Sequence, residues 1–188
     1  MLKRTDIDHY FMNMARVVSS RSTCIKRQVG AVITLDREVV STGYNGAVRG
    51  LPNCCDVFDE CPRKEIGAHR GERYDLCPAL HAEQNAIIQA AKTSKSINNG
   101  TIYITIAPCI TCARMIVNAG IQMVIMGDEP SLEVADLFDR AKVKYKTMGW
   151  LYETTKNKIY NTKLYRHLWL KTHKIYRESY GTRFCIWN

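Results

Sequence analysis

The chain has 188 residues, 46% of them hydrophobic and 24% charged, with a formal net charge of +9. That length suits one ordinary domain with an appendage, and no apolar run approaches the roughly 18 residues of a membrane span. No apolar signal-peptide core follows Met1-Leu2-Lys3-Arg4-Thr5-Asp6 either, so a cytoplasmic protein with no membrane partner is expected. The charge is uneven: residues 131–188 hold 12 Lys and Arg against 5 Asp and Glu, whereas residues 1–130 hold 15 against 13. A solvated surface is the plain explanation of that basic end, with an acidic neighbour or nucleic acid as alternatives.

Taken in chain order, Ile7, Phe11, Met14 and Val18 recur at helical intervals and predict an amphipathic helix over residues 7–20. Two β-like runs follow, 29–35 and 38–44, and the Asp36-Arg37 pair between them suits an antiparallel hairpin. From Asn45 to Ala79 periodicity gives way to Cys, Pro, Gly and charge. So long a stretch is unusual in a compact domain unless function or a metal orders it. Beyond it the pattern predicts a helix over 82–92, a buried strand over 101–106, a helix over 109–119 closed by Gly120, and a short strand over 123–126. A helix over 132–141, an extended segment at 143–147 and a further helix near 161–176 complete the chain. Strands alternating with helices imply a layered α/β domain over residues 1–150, with a cysteine-rich insert at 46–79 and a basic extension at 151–188.

The strongest chemical signal is His81-Ala82-Glu83, separated by 24 residues from Pro108-Cys109-Ile110-Thr111-Cys112. One imidazole and two thiolates give three protein ligands and leave the fourth tetrahedral position of a zinc ion open, as a catalytic rather than a structural metal requires. Glu83 then lies beside the metal without ligating it. Both half-motifs fall at predicted helix starts, where unpaired N–H groups and the helix dipole favour thiolate over thiol. A lone C-x-x-C fits a redox motif or half of a structural zinc, and a lone His-x-Glu means little. Joined at this spacing they match the H-x-E…P-C-x-x-C pattern of zinc deaminases acting on nucleobases.

The chain resembles the deoxycytidylate deaminases within the zinc-dependent cytidine and deoxycytidylate deaminase family. The resemblance rests on Arg21-Ser22-Thr23-Cys24, Gln28 to Ile33, Gly43-Tyr44-Asn45-Gly46, His81 to Ile87 and Asn118-Ala119-Gly120-Ile121, and covers residues 10 to about 147. It implies a three-layer α/β/α fold with a mixed five-stranded sheet and hydrolysis of dCMP to dUMP and ammonia by a zinc-activated water. It also implies dUMP supply for thymidylate synthesis, often in a hexamer regulated by dCTP and dTTP, with Mg²⁺ accompanying a triphosphate effector. His81, Cys109 and Cys112 would bind zinc, and Glu83 would move protons between water, N3 of cytosine and the departing amine. Asn45 and the Ala107 carbonyl would touch sugar and base, and Ser22 and Lys26 the phosphate. Asn45, Gly46 and Lys92 would meet an effector. The plainer readings are an Asn that stabilises a turn and a lysine that ends a helix.

Five further cysteines, Cys24, Cys54, Cys55, Cys61 and Cys77, precede His81. Disulfides are disfavoured in a reducing compartment, and the positions resemble the cysteine-rich branch of the family. The expectation is a second, structural zinc on Cys24, Cys54, Cys61 and Cys77, with His69 or Cys55 able to replace one member. Two rivals to the dCMP reading are a tRNA adenosine deaminase that stacks nucleotides on aromatic residues such as Tyr145 and Trp150, and a non-catalytic zinc-stabilised nucleotide-binding module. The nucleotide-like blocks speak against nucleic acid as the partner, whereas dCTP remains open as an additional substrate.

Overall fold

In a computed structural model, residues 4–69 and 72–149 are described. The first helix, α1 (Ile7–Ser19), starts where the Asp6 carboxylate accepts from the backbone N–H groups of Asp8 and His9, both at 3.1 Å. It buries Phe11, Met12 and Ala15, with Met14 and Val18 of the predicted stripe partly buried beside them and Ile7 exposed. Strands β1 (Gly30–Leu35) and β2 (Glu38–Tyr44) form the expected antiparallel hairpin. Asp36 and Arg37 both take positive φ, 51° and 66°, the conformation that lets a two-residue turn match the twist of its strands.

The insert is less formless than its sequence suggested. It contains β3 (Gly46–Ala47), α2 (Cys54–Val57), α3 (Pro62–Glu65), a 3-10 turn at Tyr74–Leu76 and β4 (Ala79–Leu80), which pairs with β3. None of these elements exceeds four residues, so no periodicity is long enough to read from sequence. The regular fold resumes with α4 (Ala82–Lys92), β5 (Thr101–Ile104), α5 (Ile110–Asn118), β6 (Met123–Met126), α6 (Leu132–Arg140) and β7 (Lys144–Thr147). Gly120, at φ 75°, ends the α5 segment as predicted, in the left-handed conformation that glycine adopts without a Cβ penalty. The strand expected to reach residue 106 stops at Ile104, where the chain turns toward Pro108. The basic extension from 151 onward, with its expected helix, lies outside the described residues.

The five-stranded sheet has the order β2-β1-β5-β6-β7. Its first two pairings are antiparallel and its last two parallel, giving the mixed sheet that the resemblance implied. Successive side chains of a strand leave opposite faces, and burial follows that alternation. Ala31, Ile33, Ile102, Ile104, Val124 and Met126 pack with residues of α4, α5 and α6, while Val32, Tyr103 and Ile125 pack with α1. The central strands are therefore largely apolar on both faces and the fold has three layers. Among the described residues no helix is long and apolar enough to cross a membrane.

Gly43 fixes how closely α4 approaches the sheet. A Cβ at this position would lie 2.2 Å from the Ala82 carbonyl oxygen and 2.3 Å from the Ala86 nitrogen, so backbone rests directly on backbone. The Ser41 hydroxyl donates to the Ala86 carbonyl at 2.9 Å, and the Asn85 amide donates to that of Tyr44 at 2.8 Å. Ala82, Ala86 and Ala90 make the buried side of α4 small enough for that approach. The first turn of α4 is thereby held against β2, and that turn carries Glu83 just after His81.

Candidate active site

The site forms beyond the carboxyl end of β5, where the starts of α4 and α5 converge; open α/β sheets bind ligands at that edge. His81 is the N-cap of α4, and its backbone N–H donates to the Gln84 side chain at 2.8 Å. Cys109 is the N-cap of α5 and Cys112 lies in its first turn. His81 Nδ1 stands 3.6 Å from Cys109 Sγ and 3.3 Å from Cys112 Sγ. A tetrahedral zinc with bonds of about 2.3 Å to sulfur and about 2.05 Å to nitrogen places those ligand atoms about 3.6 Å apart. The trio fits that ion, and its ligand atoms all lie within 4.8 Å of one another. Coordination through Nδ1 leaves Nε2 to carry the imidazole proton.

Glu83 is 4% exposed. Burial drives its proton affinity above the ordinary carboxylate range, against the opposing pull of its own backbone N–H and of the His81 charge. The two sulfurs divide one proton unequally. The Cys109 thiol falls to about 4 because Cys112 donates to it, with His81 helping, while Cys112 rises because it donates to Cys109 and is buried near Glu83. For His81, burial is the largest influence and opposes charge, yet the hydrogen bond to Cys109 and the charge of Glu83 outweigh it and raise the imidazole. Zinc ligation requires both sulfurs as thiolates, so metal binding is accompanied by proton release.

A cavity of about 230 Å³ opens onto His81, Glu83 and Cys109. Ala107, Asn45, Lys26 and Arg27 also border it. The Asn45 side chain is heavily engaged: its oxygen accepts from Ser22 Oγ at 2.7 Å and the Val29 N–H at 2.8 Å, and its nitrogen donates to the Arg27 carbonyl at 2.8 Å. Ser22 is buried, tied to Asn45, and accepts from the Cys24 N–H at 3.2 Å; it is absent from the cavity lining. Lys26 lines the cavity with an otherwise exposed side chain. Gly46 is buried in β3, and Lys92 is the exposed last residue of α4.

The insert cysteines assemble more loosely. Burial raises the Cys54 thiol first, and then the neighbouring charges of Cys24, Cys77, Cys61 and Cys55 raise it further, so all four approach it. Among the described residues, however, only the His81 trio brings three ligand atoms within 4.8 Å. Cys24, Cys54, Cys55, Cys61 and Cys77 are free thiols.

Two site residues escaped the sequence reading. Tyr74 sets its ring edge-on to the His81 imidazole, with centroids 4.4 Å apart, and the Arg63 guanidinium lies 4.3 Å from the centre of that ring. Both line the cavity. Nothing in Pro62-Arg63-Lys64-Glu65 marks its first basic residue as the buried one; the fold alone separates Arg63 from exposed Lys64.

Fold and site together define an α/β/α domain built to hold one metal ion beside a buried carboxylate. The chain belongs to the family described as the cytidine and deoxycytidylate deaminase zinc-binding region, whose model matches residues 5–128. It is 40% identical over 122 residues to a deoxycytidylate deaminase of Schizosaccharomyces pombe, covering 65% of this chain and 37% of that protein. To the deoxycytidylate deaminase of Saccharomyces cerevisiae it is 41% identical over 138 residues, covering 71% of this chain and 43% of that protein. The chain thus spans about two fifths of the length of these yeast relatives. The crystal structure of dCMP deaminase from the cyanophage S-TIM5 in complex with dCMP and dUMP superposes with a TM-score of 0.63 at 29% identity, over 78% of this chain and all 100% of the phage chain.

Proposed function

We propose that the protein hydrolyses dCMP to dUMP and ammonia. The observation that carries this reading is the convergence of His81 Nδ1, Cys109 Sγ and Cys112 Sγ at zinc-ligand spacing, next to a buried carboxylate and at the wall of a nucleotide-sized cavity. Zinc bound there would polarise a water and make it nucleophilic at neutral pH. Glu83, with its raised proton affinity, would take the two protons of that water in turn, passing one to N3 of cytosine and the other to the amino group as the bond from C4 to nitrogen breaks. Oxygen from water remains on C4, and ammonia departs. The Ala107 carbonyl orients the exocyclic amine, and the second N–H of the Asn45 amide, without a hydrogen bond among the described residues, faces the sugar. Lys26 brings positive charge to the rim.

Four finer readings accompany this one. The dUMP formed is a substrate for the methylation that yields thymidylate. A second zinc on Cys24, Cys54, Cys61 and Cys77 draws support from the gathering of those thiols around Cys54. Regulation by dCTP and dTTP with Mg²⁺ in a hexamer, near Asn45, Gly46 and Lys92, rests on family resemblance. A cytoplasmic setting suits seven free thiols among the described residues.

Ammonia release from dCMP, dCTP, deoxycytidine, cytidine and a tRNA anticodon stem-loop tests the main reading. Turnover of dCMP above the others is the expected result; release from the RNA alone would overturn it, and zinc binding without any release would favour a non-catalytic module.

A further inference from the structure

Arg63 combines three properties that a merely structural arginine rarely joins. It is 8% exposed, it lines the cavity that opens onto His81 and Glu83, and no carboxylate among the described residues pairs with it. A buried guanidinium without a counter-charge is costly to keep. Its position is nevertheless fixed: Nε donates to the Glu72 carbonyl at 2.8 Å and Nη2 to the His69 carbonyl at 2.9 Å, while Tyr74 supports its flat face at 4.3 Å. Nη1 makes no hydrogen bond among the described residues. The cation therefore stands at the cavity wall with donors in reserve, one aromatic ring removed from the imidazole of the metal site.

We propose that Arg63, positioned by Tyr74, is the specificity residue that receives the 5′-phosphate of the substrate. This rests on the deoxynucleotide reading above. A nucleotide whose base reaches His81 and Glu83 extends its phosphate a sugar's length away along the cavity, and Arg63 lines that cavity against Tyr74, whose ring also contacts His81. Lys26 and Arg27 also border the cavity, but both are exposed and must be ordered at every binding event. Arg63 incurs that ordering once, at folding, and its planar fork matches phosphate oxygens. The cysteine-rich insert thereby acquires a role in selectivity, because α3 carries Arg63 and the 3-10 turn carries Tyr74.

The test compares kcat/KM for dCMP with that for deoxycytidine in the zinc-loaded full chain, and adds dUMP binding by calorimetry. Arg63→Gln is expected to lower the dCMP-to-deoxycytidine ratio at least about tenfold, chiefly through KM for dCMP, and to weaken dUMP similarly. Arg63→Lys should keep much of the ratio, since charge survives while the fork is lost. Tyr74→Leu leaves the cation but removes its platform and should cost the ratio about threefold. An unchanged ratio in Arg63→Gln overturns the proposal, as does an equal fall on both substrates, which is the mark of a purely structural clamp. If Arg63→Gln does not fold, Tyr74→Leu decides alone, and an unchanged ratio there sinks the idea. A wild-type protein inactive on dCMP would instead show that the underlying reading had failed.

Discussion

His81, Cys109 and Cys112 hang from the starts of two helices packed on a five-stranded sheet, whereas Cys24, Cys54, Cys61 and Cys77 hang from turns and four-residue helices. The first group reaches ligand spacing; the second only gathers around Cys54. The difference lies in what supplies the order. Around the trio, backbone contact at Gly43 and the buried alanines of α4 hold the helix start that carries His81 and Glu83. The insert has little apolar cover, with Val57 and Ile66 each more than half exposed, so a ligand must complete its organisation. A preorganised site can be damaged without unfolding, and a ligand-organised one cannot.

Glu83→Gln breaks that comparison hardest on the chemical side. It removes proton transfer but leaves the three ligands and the helix start in place, so kcat for dCMP should fall by about 10²–10⁴-fold. Zinc content and the melting temperature of the loaded protein should stay near wild type. Loss of zinc together with activity would mean that Glu83 supports the site rather than the reaction. Gly43→Ala attacks the support instead. The added methyl meets backbone atoms at 2.2 and 2.3 Å, which cannot swing aside as a side chain does. Overpacking of this kind costs about 1–3 kcal/mol or more, and thermal unfolding should register it as a lowered midpoint with weakened zinc retention.

Cys54→Ser sharpens the contrast from the insert's side. Elemental analysis of the wild-type protein should find two zinc ions per chain, and the variant should keep one. Limited proteolysis should then cut within residues 46–79 of the variant while the sheet stays intact. A wild-type stoichiometry of one would remove the structural metal and leave the gathered thiols unexplained. Because Arg63 and Tyr74 ride on the same insert, KM for dCMP should rise in Cys54→Ser more than kcat falls.

What could be read without coordinates follows the same division. The helices around His81 and Cys109 were legible because their signals are local: caps, a glycine stop and apolar periodicity over ten or so residues. The five-stranded sheet followed from runs such as Thr101–Ile104 and Met123–Met126, apolar on both faces. In the insert, elements of two to four residues carry no period, so its ribbon and turns were invisible. Arg63 was unreadable for a related reason: its burial comes from the carbonyls of His69 and Glu72, and a loop's backbone path leaves no mark in residue types. Gln84 and Asn85 were noticed only as family-like letters, although one caps α4 and the other ties it to β2.

The smallest predicted effect concerns pH and the metal-free protein, where the groups of the trio pull in opposite directions. Burial raises Glu83 above its ordinary 4.5, so the folded state holds that proton more tightly than the unfolded chain does. Its contribution to stability is present below about pH 4.5 and is lost as pH rises through the folded value. For His81 burial is the largest influence and lowers it, but Cys109 and Glu83 together outweigh burial and raise it above 6.5, adding a loss of the same sign at higher pH. Cys109 acts in reverse: hydrogen bonding from Cys112 lowers it from 9.0 to about 4, so its contribution is present above pH 9 and is lost as pH falls toward 4. One proton changes stability by at most about 1.4 kcal/mol per pH unit, and in the wild-type apoprotein the rising slope of Cys109 opposes the falling slopes of Glu83 and His81. Glu83→Gln removes one of the downward slopes, and its apoprotein should gain stability relative to wild type as pH rises through that window. Cys109→Ser removes the upward slope, so its apoprotein should lose stability over the same range. Denaturant midpoints measured with chelator across pH 5 to 8 would expose the pair; parallel curves for both variants would mean that the carboxylate and the thiolate do not share the cluster's proton balance.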